Sequence, residues 1–487
     1  MSILAVLPHQ LFEKLSEVSR GLKAREVWLL EEPAFFYDPA HRPYRVNKAK
    51  CAFHRATMKA AAADLERLGA RVRYFDYADF PKAYAEMAKK KRIFLVDPCD
   101  RTVASKYAGL FGDRLEVVPD AHGFLATRDL LREFDESHGR KPQVSHATFF
   151  EFMKKRFGIL EGVASTDALN REKHRGDLPP LPPAYDGPFH REAIAYVEAN
   201  FADHWGEAAA VLDYPATRAQ ALEHLGAFLR DRFDMFGPYQ DAVRKDSAVM
   251  FHAHVSFLLN CGLLSPAEVL RATAGRVPQQ SAEAFVRQLL GWREYMRYVY
   301  LFHGEDLMRD NAWGNDRDVT RAFYAGETGI AALDAEIRKA ARAGYAHHIV
   351  RLMYFLNALV LARVSPANIV KWFMEVVSID AYEWVMWSNV AVMGGFAGPR
   401  KRFARKPYIC SSNYWVNMSD YKGRDETLDA LFYDFLDDKR DIIQERAQVY
   451  TRNLAHFDRQ PPRDRERVRR LAARFIEDKT ASATGRT

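Results

Sequence analysis

Along the first 130 residues, apolar runs of four or five positions recur at 3–7, 26–30, 71–75, 92–96 and 115–118. Between them lie stretches such as 47–68 and 80–90, in which apolar residues return every three to four positions. Short β-rich runs read as strands, and the longer periodic stretches as amphipathic helices. Strand and helix in alternation predict βαβ units and a doubly wound, mainly parallel sheet. From 131 to 190 the pattern degrades, and it ends in 177–188, which holds five prolines in twelve residues. Proline fixes φ and lacks the N–H that helices and central strands use, so this segment is expected to be a connector. Beyond it helical periodicity continues through residue 475. The pattern therefore predicts an α/β domain over 1–130, a linker over 131–190 and a large all-helical domain over 191–487.

A chain of 487 residues exceeds one ordinary core, which agrees with two domains. Cys51, Cys99, Cys261 and Cys410 show no CxxC spacing, which excludes a disulfide scaffold or zinc ribbon and predicts a reducing compartment. No run of 18 apolar residues free of charge occurs, and the apolar start of the chain is short, with no basic leader. No membrane partner and a cytoplasmic location are expected. A formal net charge of +7 is mild, so what matters is where it gathers. Residues 399–406 carry five cations without an acid, and 459–474 carry seven arginines against Asp464 and Glu466. For 459–474 a solvated terminal helix is the expected reading, whereas at 399–406 a nucleic-acid contact and a solvated loop stand level. Neither GxGxxG nor GxxxxGK[ST] follows the first strand, which disfavours the usual phosphate-cradling sites there.

Three stretches concentrate groups able to do chemistry. In 344–360 the apolar positions trace one helix face, His348 borders it, and His347 falls above Arg351 at i+4. Imidazoles beside a cation can give or take protons near neutral pH, although packed histidines are the plain alternative. Asp380, set among Ala381, Tyr382 and Trp384, requires a cation if buried, and Arg351 is the candidate. The stretches 251–266 and 285–297 add hydroxyl and amide groups at helix ends, then Trp292, Arg293, Tyr295 and Arg297.

Taken together, LNCGLLSP at 259–266, LLGWREYMR at 289–297, AGETG at 325–329, YAHHIVRLM at 345–353, DAYEWV at 380–385, and KPY followed by NYWVNMSDY ending at 421 carry a resemblance. The chain resembles the cryptochrome/photolyase family, in particular its bacterial (6-4) photolyase branch, the iron-sulfur bacterial cryptochromes and photolyases. The resemblance implies FAD in the helical domain, with His252, Ser256, Asn260, Arg293, Arg351 and Asp380 around it. It implies His347 and His348 as the catalytic pair, His347 the leading acid. Trp372, Tyr324 and Trp384 fall to electron transfer, and Trp292, Tyr295, Arg297, Arg400, Lys401 and Arg402 to contact with UV-damaged DNA by a monomeric enzyme.

Two departures follow. The branch holds a [4Fe-4S] cluster on four cysteines, whereas Ala332 stands at the first position and residues 422–433 contain no cysteine. Cluster ligation needs convergent thiolates, so no iron-sulfur cluster and no other metal is expected. Relatives also hold an antenna chromophore of ribityllumazine type, for which His9, Gln10, Glu31 and Glu32 stand at strand ends, with the following residues 33–37 rewritten. The implied function is light-driven repair of (6-4) pyrimidine-pyrimidone photoproducts by a lyase. A blue-light photoreceptor of cryptochrome type and a nucleic-acid-binding remnant without photochemistry are the alternatives.

Overall fold

The structure, a computed structural model, describes residues 2–120, 122–140, 144–398, 403–404 and 406–482. Five parallel strands, β1 (Ser2–Val6), β2 (Glu26–Leu30), β3 (Val72–Phe75), β4 (Arg92–Val96) and β5 (Leu115–Val118), form a sheet in the order β3-β2-β1-β4-β5. The register aligns Ile3 with Glu26 on one side of β1 and with Ile93 on the other. Side chains alternate across a strand, so Ile3 and Ala5 enter one apolar layer while Leu4 and Val6 enter the opposite one. Both faces are covered, which is why the strands read as continuous apolar runs. The expected fold class, a doubly wound α/β part followed by a helical part, is the one observed.

Helix α1 (Lys48–Arg67) begins where the Asn47 side chain accepts the Ala49 N–H at 2.9 Å. The Asn47 amide also donates to the Ala341 carbonyl at 2.7 Å, tying the start of α1 to the helical part. A second tie is ionic. Buried Arg42 bonds Asp100 at 2.8 Å and Glu383 at 2.6 Å, and the Arg101 N–H donates to Glu383 at 2.9 Å. One apolar core runs through both parts without interruption.

The connector is more ordered than its composition implies. It contains α2 (Arg128–Ser137) and α3 (His146–Phe157), capped by the side chains of Thr127 and Ser145. Leu131 and Phe134, then Phe149, Phe150 and Met153, supply helical spacing and are buried. Proline enrichment is confined to the later half, which carries no helix longer than one turn.

In the helical part, two segments wind as π-helix, Arg287–Arg293 and Arg351–Leu356. A short antiparallel pair, β6 (Arg317–Val319) with β7 (Thr480–Ser482), is a strand element that helical periodicity does not reveal. Among the described residues no helix is long and apolar enough to cross a membrane.

Candidate active site

The helical part surrounds an open cavity whose empty space, with solvent at its mouth included, is about 1420 Å³. Its walls are α4 (Ser256–Cys261), the π-helical turn Arg287–Arg293, the residues from Tyr345 to Leu356, and α5 (Glu383–Met393) with Asp380 just before it. Both π segments place a wall cation, Arg293 at the end of one and Arg351 at the start of the other. Such local widening of a helix is common where a side chain must be aimed at a site.

Arg351 meets Asp380 at 2.6 Å, and its Nε donates to the Ala346 carbonyl at 2.6 Å. Asp380 also accepts the Ser256 hydroxyl, and its backbone carbonyl accepts the Asn260 amide at 2.9 Å. Asn260 in turn accepts from Arg293 at 3.2 Å, so Ser256, Asn260, Arg293, Arg351 and Asp380 form one connected polar strip. From the sheet domain, Lys50 donates to the Ala381 carbonyl and lies 3.9 Å from the centre of the Tyr382 ring. Burial pushes its ammonium down to about 7, against the opposing pull of Asp380.

Several polar groups of this wall lack protein partners. Arg293 Nε, His252 Nε2 and His254 Nδ1 are buried without a hydrogen bond. Burial presses the Arg293 guanidinium below its ordinary range, and its one ion pair, to Glu294 at 3.3 Å, only partly offsets this. A buried cation with unused donors, beside a roomy and mostly apolar cavity, fits a large aromatic ligand carrying negative charge.

The two adjacent histidines part company. His348 lies on the cavity wall, open to the cavity, with its imidazole pushed down to about 4 by burial and by Arg351, while Asp380 opposes the shift. His347, the expected leading acid, is instead buried and outside the cavity lining, so it cannot reach a ligand there as His348 can. Its backbone is extended, φ −71° and ψ 162°, so the helix begins only at His348. The expected stacking of His347 over Arg351 is thereby corrected: its ring stacks on His252, centroids 4.3 Å apart. His252 lines the cavity and is pushed down to about 3 by burial, then by His348 and Arg351.

The aromatic residues separate as clearly. Trp384 lines the cavity and meets Phe124 edge-on at 5.2 Å. Trp372 is fully buried one layer back, behind the cavity-lining Phe373, and donates to the Phe323 carbonyl at 3.0 Å. Tyr324 is half-buried farther out. Trp292 lines the cavity and stacks on His146 at 3.7 Å.

Tyr295 and Arg297 require correction as DNA contacts, because both are core residues. The Tyr295 hydroxyl donates to the carbonyls of Val144 and Phe403, each at 2.8 Å, and Arg297 is 1 % exposed, held over Phe124 at 3.9 Å. Arg400, Lys401 and Arg402 lie outside the described residues.

Sequence reasoning missed Tyr345, which lines the cavity and meets His254 edge-on at 4.4 Å, although it opens the YAHHIVRLM phrase. It also missed Glu383, whose place inside the DAYEWV phrase was the available signal. Phe124, at the end of the α/β part, and His146, in the connector, carry no sequence signal at all.

The residues named for the antenna group have partners within the chain. Glu31 accepts from Arg55 at 2.9 Å, Tyr74 at 2.6 Å, the Tyr77 N–H at 2.8 Å and Tyr196 at 3.1 Å. Glu32 accepts from Lys106 at 2.8 Å and from Tyr84 and Tyr107, each at 2.9 Å. Gln10 donates to the Val96 carbonyl at 2.7 Å, and the His9 ring packs tilted against Phe35, centroids 4.7 Å apart. The four cysteines are free, buried and dispersed through both domains, and among the described residues no cluster of histidine, cysteine and acidic side chains could hold a metal.

Residues 4–212 match the family described as deoxyribodipyrimidine photo-lyase-related protein. The chain is 32% identical over 473 residues to a (6-4) photolyase of Agrobacterium fabrum, covering 88% of this chain and 91% of that one. Its fold is similar to that of a bacterial class III photolyase from Agrobacterium tumefaciens, with TM-score 0.51 and 17% identity over 82% of this chain and 81% of that one. It is likewise similar to a cryptochrome from Synechocystis, with TM-score 0.54 and 15% identity over 86% of this chain and 88% of that one. With that identity sustained over nearly the whole length, and the same two-part architecture around the helical cavity, the chain belongs to the photolyase and cryptochrome family.

Proposed function

We propose that this protein is a light-driven DNA lyase that holds FAD in the helical cavity and repairs (6-4) pyrimidine-pyrimidone photoproducts. The observation that carries the reading is His348, an imidazole open to the cavity beside the Arg351 and Asp380 pair. The extensive identity to a (6-4) photolyase supports it.

Bound and reduced, FAD would supply the light-driven electron that opens the lesion. The remaining work falls to the chain. Arg293, with Asn260 and Ser256, would hold the anionic phosphates, to which a buried guanidinium offers charge-assisted bonds. Arg351 and Asp380 present a donor and an acceptor to the edge of a heterocycle, and the apolar walls exclude water.

With its imidazole pushed down to about 4, His348 is expected to be neutral near pH 7, one ring nitrogen carrying a proton and the other accepting. Phosphates brought in by cofactor and lesion would raise its basicity, making it able to hold a proton and pass it from that nitrogen to the substrate. His347, neutral and stacked on His252, would orient it. The lesion must leave the duplex to reach the cavity, at a cost of a few kcal/mol that is least for damaged bases. Trp292 offers it an aromatic face at the cavity, and Arg400, Lys401 and Arg402 would hold the backbone of a DNA substrate met by a single chain.

Trp372, with Tyr324 farther out and Trp384 on the wall, would refill the site with electrons. No iron-sulfur cluster is held, because Ala332 and the cysteine-free 422–433 offer it no thiolate. No antenna is held at Glu31 and Glu32, because their acceptor capacity is taken up within the chain.

The test is illumination of the reduced, FAD-loaded protein with an oligonucleotide carrying a (6-4) photoproduct. Restored pyrimidines are expected, and their absence overturns the reading. His348→Ala is expected to lower repair by at least 100-fold, the ordinary contribution of a general acid, while FAD content stays unchanged. Undiminished repair would remove His348 from the chemistry.

A further inference from the structure

Around Tyr324 the chain builds a feature that the relay reading leaves unused. Helix α6 (Pro366–Val376) carries Trp372 and, three residues on, Glu375, which is 5 % exposed. The short helix Arg321–Ala325 lies against α6 through two bonds. Trp372 donates to the Phe323 carbonyl at 3.0 Å, and the Tyr324 hydroxyl donates to Glu375 Oε2 at 2.6 Å. The other carboxylate oxygen, Oε1, accepts the Arg45 N–H at 2.9 Å. Trp205 stacks on the far face of this arrangement, its ring 5.1 Å from that of Tyr324 with 15° between the planes. Burial runs outward from Trp372, fully enclosed, to Tyr324 and Trp205, both half-buried.

We propose that Glu375 is the proton acceptor that makes Tyr324 the outer electron donor of the relay, with Trp205 roofing the phenol against water. The inference rests on the reading of Trp372 as an electron carrier. A phenol gives up an electron readily only if its proton leaves with it, and a carboxylate already hydrogen-bonded to the hydroxyl is placed to take that proton.

Trp372, having lost one electron inward, regains it from Tyr324 and returns to a neutral indole. The Tyr324 O–H bond breaks, its proton passes to Oε2 of Glu375, and a neutral phenoxyl radical remains beside a carboxylic acid. A small-molecule thiol in solvent then supplies one electron as its thiolate, leaving a thiyl radical, while the proton returns from Glu375 to the phenol oxygen. Burial holds the Glu375 carboxyl above its ordinary value, opposed by the Tyr324 bond, the Arg45 N–H and the charges of Lys371 and Arg45. Its proton affinity is therefore greater than that of an exposed carboxylate.

The test uses the full-length, FAD-loaded protein under flash illumination, with electron paramagnetic resonance and transient absorption to identify the radicals. The wild type is expected to show a tyrosyl radical that rises as the tryptophan radical decays, more slowly in heavy water. Tyr324→Phe and Glu375→Gln are each expected to lose the tyrosyl signal and leave a longer-lived tryptophan radical, with FAD content retained. An unchanged tyrosyl signal in Glu375→Gln overturns the proposal. An equal rise in light and heavy water overturns it in the wild type alone, so it stays falsifiable should that variant fold poorly. A wild-type tryptophan radical without a tyrosyl radical overturns this inference and leaves the function standing. A protein that forms no light-induced radical overturns both.

Discussion

Arg351 and Asp380 are charges whose side chains are only 13% and 8% exposed, and each is the other's ionic partner. Replacing Arg351 by Leu strands a buried carboxylate, which costs about 3 kcal/mol or more. Chemical denaturation of Arg351→Leu is expected to show that loss. The double variant Arg351→Leu/Asp380→Leu recovers most of it, and the absorption spectrum shows neither variant retaining FAD. Equal stability of the single variant and the wild type would contradict the pairing argument. This pair was legible in the sequence because an aspartate set among Ala381, Tyr382 and Trp384 demands a cation. The burial of Tyr295 and Arg297 was not legible. They follow the π-helical turn Arg287–Arg293, and each residue added to a helical turn rotates everything after it by about 100°, so a face counted at 3.6 residues per turn is displaced. His347 was misread for a related reason: a helix counted back from Arg351 includes it, whereas its backbone is already extended.

At the scale of elements, the C-terminal arginines gain a structural account. All but Arg459 belong to α8 (Pro462–Lys479), which packs on α7 (Glu426–Asp438). Arg469 meets Asp437 at 2.7 Å, Arg470 meets Glu466 at 3.0 Å, and Arg467 pairs with Glu426. These are exposed ion pairs of small individual value, so the packing rests on Ala472 and Phe475. Phe475 is 5 % exposed and meets Phe323 edge-on at 6.2 Å. Phe475→Ala is expected to cost about 3 kcal/mol, read as a lower urea midpoint with an unchanged slope. A change below about 0.5 kcal/mol, the range of a neutral surface substitution, would show that α8 is not part of the core. Helix α7 starts inside the cysteine-free 422–433 segment, and Leu428, Leu431, Phe432 and Phe435 bury its inner face. The missing thiols were plain from the sequence. The apolar packing there was hidden only because helical spacing does not name its partner.

Across the whole molecule, neutral buried histidines set the response to acid. His54, His224, His252, His254 and His347 are all buried, and burial is the first cause that lowers each of them from 6.5, His224 to about 4 and His252 to about 3. The unfolded chain therefore takes up protons on these rings as the pH drops through 6.5 while the folded chain does not, so their contribution to stability is full above that pH and falls below it. Each group contributes up to about 1.4 kcal/mol per pH unit in the falling range. Urea midpoints are expected to drop steeply from pH 6.5 to 5. A midpoint that stays constant down to pH 5 would show that these rings are solvated.

The bonds of Arg42 to Asp100 and Glu383 bear on modularity. Glu383 begins the helix that walls the cavity, three residues after Asp380, so the α/β half acts as an external brace for the cofactor wall. That half is consequently not an interchangeable cassette. A chimaera carrying another protein's α/β half would inherit an unbalanced Glu383 at its seam unless the new half supplies a counterpart of Arg42.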